Sequence, residues 1–190
     1  MFLTSRVSLN IESKPASLTS RVVAFALDYL LICLYLIILA AITMMVTSKL
    51  DSDAWTRFFS DPIRADIVAF LVTVLPVAAY FSITESSIAQ ASWGKRKRRL
   101  RVESTDGTRL SLRAAMVRSL LKLIPWQIAH TSLFNIPGWP TNTGSPPGWV
   151  VVGLVLVWVI VAMYAFSVVF QPSHQSIYDR LVGARVVSLS

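Results

Sequence analysis

Cysteine is nearly missing from this chain. Cys33 stands alone among 190 residues, so no internal disulfide and no cysteine-built metal site can form. Histidine is almost as scarce, and His130 and His174 are too scattered for a metal constellation. There is no glycine-rich phosphate loop, no internal repeat and no nucleophile–base spacing that would mark an enzyme. Neither a metal nor any other cofactor is expected. Charged residues make up 15% of the chain against 54% hydrophobic ones. A water-soluble domain rarely carries that balance, which points to an integral membrane protein. Acids are the scarcer charge, 10 against 18 Lys and Arg, for a net charge of +8. In a membrane protein such an excess gathers on cytoplasmic loops and fixes orientation, so no nucleic-acid partner is expected. The first residues are polar and hold no apolar stretch, so they do not read as a cleaved signal peptide. Residues 1–20 are expected to be a short cytoplasmic tail.

What is present is a set of long apolar runs. Residues 22–46 are long enough to cross a bilayer. The following stretch, "TSKLDSDAWTRFFSDPIRAD", mixes both charges with Trp55, Phe58 and Phe59 and reads as an external loop with an interfacial segment. A second span is expected over residues 67–83, with Pro76 removing one helical hydrogen bond near its middle. Membrane helices tolerate that when a neighbour satisfies the freed carbonyl. The run over residues 149–170 is the least ambiguous span, with Trp149, Tyr164 and Phe170 placed to anchor it at the interfaces.

Between these runs lies "GKRKRRLRVESTDGTRLSLR", residues 94–113, the most basic part of the chain. It is expected on the cytoplasmic side, with "KRKRR" meeting anionic lipid. "LRVES" and "TRLSL" alternate around Asp106-Gly107, a pair suited to a tight turn, and predict a strand pair. Residues 112–134 are helical in period but interrupted by Arg113, Arg118, Lys122 and His130, with Pro125 inside. They could cross, dip in and return, or lie on the surface. The loop after them, "NIPGWPTNTGSPPG", holds no Lys or Arg. That charge distribution favours a crossing, four spans in all and both termini inside.

The unusual residue is Asp28, an acid inside the first span. It lies two helical turns beyond Arg21, on the same face and about 10 Å deeper. An unpaired carboxylate at that depth costs on the order of 3 kcal/mol, so it must protonate or find a partner. Arg21, Arg118 and Lys122 are the available cations, and Asp179, Glu85 and His174 lie at helix ends on the same side. A buried cluster near the inner leaflet is expected, tying the first helix to residues 112–134. Such a cluster is either structural, fixing helix register, or functional, exchanging protons because low dielectric disfavours the charged acid.

The chain resembles the RDD family of small membrane proteins, named for an arginine and two aspartates. "PASLTSRVVAFALDYLLI" is similar to the family's opening, with Arg21 and Asp28 at its arginine and first aspartate. "SWGKRKRRLRVESTDGTRLSLRAAMVRSLLKLI" is similar to its middle, through Gly94, Lys95, Val102, Gly107 and Arg118. "HQSIYDRLVGARVV" is similar to its end, with Asp179 as the second aspartate and Tyr178 where many members carry histidine. The resemblance covers about residues 15–188. It implies a presumed transport role, cation–proton exchange included, and pairing of the strand around Val102 with that around Val186. The expectation is therefore an all-α membrane protein of four helices with a small cytoplasmic β element, its transmembrane domain over residues 21–188. It would be a multi-pass protein of the inner cell membrane. It would move a cation or small solute, coupled to protons, with Asp28 titrating, Arg21 as its charge partner and Asp179 as a gate or register contact. Four helices are few for a path, so a homo-oligomer is expected. The rival expectation is a non-transporting assembly or scaffold subunit that binds anionic lipid or a membrane partner.

Overall fold

The structure, a computed structural model, describes residues 14–49, 56, 57, 59–139, 144–171 and 173–189. The expected interfacial residues Trp55 and Phe58, and residues 1–13 of the expected tail, lie outside the described residues.

Among the described residues four long helices run alternately up and down. The first, α1 (Leu18–Thr47), starts four residues earlier than its apolar run, because Ser17 caps it by accepting from the Ser20 amide. The second, α2 (Pro62–Glu85), is capped by Asp61 with Pro62 in its first turn and carries a π-helical turn at Phe70–Val74. A short helix, α3 (Trp93–Lys97), follows. Then come α4 (Leu112–Phe134), α5 (Gly148–Phe170) and a short α6 (Ile177–Leu181). By length and composition α1, α2 and α5 can each cross a membrane. The apolar windows of α1 and α5 are only 6% buried, an arrangement that water would penalise and lipid would not. These helices make the chain a multi-pass membrane protein.

At one end of the bundle the chain gathers into a three-stranded antiparallel sheet, ordered β1 (Lys14–Pro15), β3 (Ala184–Ser188), β2 (Leu100–Ser104). Val102 stands opposite Val186, and Pro15 opposite Val187 on the outer strand. An edge is where proline is tolerated. The sheet buries Leu100, Val102, Ala184 and Val186 against Ala24 of α1 and Ala115 of α4. The expected hairpin of "LRVES" with "TRLSL" shrinks to one bridge, Glu103 with Arg109. Its turn forms as expected: Gly107 takes a positive φ of 84°, and Asp106 accepts from the Thr108 hydroxyl and amide. Those bonds hold the Asp106 carboxyl below its usual range. The second strand fails because Ser111 caps α4, accepting from the Ala114 amide. The chain becomes helical at Leu112, and β2 turns to β3 instead.

The two prolines in helix interiors are answered in one way. Pro76 offers no amide to the Val72 carbonyl one turn earlier, and the Tyr35 hydroxyl from α1 donates to that oxygen. Pro125 likewise leaves the Leu121 carbonyl, and Tyr164 from α5 donates to it at 2.7 Å. Tyr164 is thus an interhelical donor rather than the interfacial anchor expected of it. Tyr164→Phe is expected to cost about 1 kcal/mol, the scale of interhelical bonds in membranes. In a Pro125→Ala background, where residue 125 regains its amide, the same change should cost little. Unfolding of the four variants in mixed micelles checks this, and equal costs in both backgrounds would refute the pairing.

Candidate functional site

The ionic network of the sheet end draws its residues from five helices, α1, α2, α3, α4 and α6. Arg118, on α4 where it faces α2 and α6, is 2% exposed. Its Nε and Nη2 meet Asp179 Oδ1 at 2.7 Å, and its Nη1 reaches Glu85 Oε2. Glu85, at the last turn of α2, also accepts from Lys95 Nζ of α3 at 2.7 Å. Asp179 sits at the third position of α6 in a capping box: its amide donates to Ser176 Oγ and its Oδ2 accepts from the Ser176 amide. Its Oδ2 also faces Arg21 Nη1 at 3.5 Å. The Arg118 guanidinium lies 5.3 Å from the Tyr178 ring centre. The result is a chain of alternating charge, Arg21–Asp179–Arg118–Glu85–Lys95, in which both carboxylates are fully buried. Burial and then Asp179 push the Tyr178 phenol above its ordinary value, so it stays neutral at pH 7.

Asp28 is buried, as expected, but its partners are not the expected cations. Its Oδ1 accepts from the Gly94 amide at 2.8 Å and from the Tyr80 hydroxyl at 3.0 Å, and its Oδ2 accepts from the Ser92 hydroxyl. Tyr80 is itself fixed by accepting from the Trp93 amide at 3.0 Å. Arg21 turns away from Asp28 although both share a helix face. Its Nε and Nη2 donate to the Ala16 and Val186 carbonyls at 3.2 and 3.1 Å, and Asp179 lies on the same side. The sheet supplies more acceptors there than one carboxylate two turns further into the bundle would. Lys122 also misses Asp28; its ammonium lies 3.1 Å from the Phe81 ring centre. His174 joins neither group, its Nδ1 facing the Val168 carbonyl at 3.1 Å.

These two sets of residues meet around one cavity of about 70 Å³. Asp28, Arg21, Lys95, Arg118, Lys122 and Tyr178 reach its wall, with Phe25 and Phe81. The same two phenylalanines border a second, apolar cavity of about 60 Å³ deeper in the bundle, beside Ile32, Val77 and Leu123. At the bundle's other end a second acid escaped the sequence reading. Asp66 on α2 accepts from Gln127 Nε2 at 2.9 Å and Thr131 Oγ1 at 2.8 Å, both on α4. The i, i+4 spacing of Gln127 and Thr131 was the available signal. Among the described residues no group of acids, histidines and cysteine is arranged to hold a metal.

No curated protein and no solved structure matches the chain. Each motif residue nonetheless has a contact to explain it: Gly94 against Asp28, Lys95 on Glu85, Val102 opposite Val186, Arg118 between two acids. The family model described as the RDD family matches residues 15–188, and the chain belongs to that family.

Proposed function

We propose that the protein crosses the membrane four times and moves a small ion or solute with proton coupling through the cavity beside Asp28. The parity of crossings supports four spans. Strands from residues 14–15, 100–104 and 184–188 share one sheet and so lie on one side. Three crossings would put the first and last on opposite sides. α4 is the remaining helix able to restore the balance: its 23 residues extend about 34 Å. It also meets α2 at both ends, through Glu85–Arg118 and Asp66–Gln127. Arg96, Lys97, Arg98 and Arg99 are exposed beside the sheet, which favours a cytoplasmic placement of that end in the cell membrane and contact with anionic lipid. A reporter inserted in the loop over residues 135–147 should score external, and one at the C-terminus internal. An external C-terminus would end the four-span reading.

The observation that carries transport is the pairing of Asp28. Glu85 and Asp179 are held by cations, so protonating either breaks an ion pair. Asp28 is held by two hydroxyls and one amide. A hydroxyl can donate or accept, so Asp28 stays hydrogen-bonded whether or not it carries a proton, and it faces a water-sized space. In liposomes, pH-driven flux through Asp28→Asn should fall at least tenfold while the variant remains folded. Equal flux would remove Asp28 from the mechanism. The apolar cavity beyond Phe25 and Phe81 is a poor route for charge through one copy, and this favours a homo-oligomer. A second reading, an assembly subunit that docks on a membrane partner, draws support from the satisfied pairs of Glu85 and Asp179. It expects Asp28→Asn to lower thermal stability and leave no flux to lose.

A further inference from the structure

We infer that the cavity beside Asp28 binds a small monovalent anion, of halide or formate size, against the Lys122 ammonium. This deepens the transport reading and rests on it for the coupling to protons, but binding itself is a separate property. The charges around the cavity do not balance. On the positive side stand Arg21 from α1, Lys95 from α3, and Arg118 and Lys122 from α4. On the negative side stand Asp28 from α1, Glu85 from α2 and Asp179 from α6, with Tyr178 neutral. Glu85 and Asp179 are already taken up by Lys95, Arg118 and Arg21. Asp28 is turned to the Tyr80, Ser92 and Gly94 donors. The ion pairs of the described residues leave Lys122 without a carboxylate, against the Phe81 ring.

An ammonium at this depth is costly without a counter-charge. The aromatic face meets one side of it, and the cavity is open to another. About 70 Å³ accommodates an ion or a few waters but not a bulky organic acid. A metal cation would enter a wall bearing four positive groups and would find one carboxylate, already hydrogen-bonded by three donors. An anion meets the opposite field. When Asp28 takes a proton the wall gains one positive charge, so proton and anion should favour each other's binding. That linkage is reciprocal, and it makes a co-transported proton and anion the natural cargo of this site.

The test is thermal unfolding of the purified full-length protein in detergent and chloride-free gluconate buffer. Sodium bromide or sodium formate should raise the midpoint in a saturable way, and exchanging sodium for lithium or potassium should change nothing. Lys122→Met should weaken the apparent anion affinity at least tenfold, and Lys122→Arg should retain it, with gel filtration reporting folding of both. Binding read in detergent needs no transport, so its failure is distinguishable from a loss of flux in liposomes. Stabilisation that follows the cation, or an unchanged anion affinity in Lys122→Met, would overturn the assignment. So would stabilisation by anionic phospholipid with none from bromide or formate.

Discussion

Arg118→Met is expected to remove about 3–5 kcal/mol of stability, the cost of breaking a buried ion pair and leaving its partners charged. The residue is 2% exposed and bridges Asp179 and Glu85, both at 0%. Methionine fills a similar length of space, so the loss reports charge rather than a void. Two carboxylates would then share a desolvated region with only Arg21 and Lys95 left to answer them. Arg118→Lys should fall between, because one ammonium cannot serve both acids with the planar fork of a guanidinium. The double variant Arg118→Met, Glu85→Gln isolates the pair. Neutralising Glu85 should be costly alone and much cheaper once Arg118 is gone, a coupling above about 1 kcal/mol for residues in one network. Unfolding in mixed micelles, followed by the fluorescence of the six tryptophans, gives all four values. A loss below 1 kcal/mol in Arg118→Met would mean that the network contributes little.

The long helices were readable in the sequence because lipid leaves few alternatives: a backbone in hydrocarbon must bond internally, and only an apolar run is stable there. That is why α1, α2 and α5 appear where their runs do. α4 stayed ambiguous because it mixes apolar residues with polar ones that face its neighbours in the bundle, so its average hydropathy hides the separate roles of Arg118, Gln127 and Thr131. The β element was harder. Alternation says which face of a strand is buried, not which strand it meets, and both "LRVES" and "TRLSL" alternate. Ser111 decided the matter by starting a helix. The partnering of Val102 with Val186 was implied by the family likeness and not by the strand patterns.

The site divided in the same way. Asp28 was identifiable as a buried acid because a charge in an apolar run has few innocent explanations. Its partners were not identifiable. Cations are the strongest attraction available to a carboxylate, but neutral donors satisfy it as well. Tyr80 and Ser92 come from 52 and 64 residues away, and the third donor is a backbone amide with no side chain to announce it. Arg21 is plain in the sequence, but the acceptors that claim it, Ala16, Val186 and Asp179, come together only once the sheet closes.

That third donor sets the second large prediction. Gly94→Ala should cost about 3–5 kcal/mol, combining overpacking with the loss of a hydrogen bond to a buried carboxylate. An added Cβ would lie 2.1 Å from the Ala24 carbonyl oxygen and 3.0 Å from Asp28 Cγ. The first of these is backbone, so no side-chain rotation relieves it; α3 must draw away from α1 by more than an ångström to reach ordinary contact. Doing so pulls the Gly94 amide off Asp28, now 2.8 Å apart, and shifts Lys95, the next residue, from Glu85. The glycine is required here for space, since its neighbours clash. Gly107 is the control of opposite kind. It has a φ of +84° and nothing nearer than 3.9 Å, so Gly107→Ala should cost only about 1–2 kcal/mol of backbone strain. Ala24→Gly should not rescue Gly94→Ala, because the obstructing oxygen belongs to the main chain. If Gly94→Ala unfolds with the wild type, α3 does not press on α1, and the amide that bonds Asp28 loses its place.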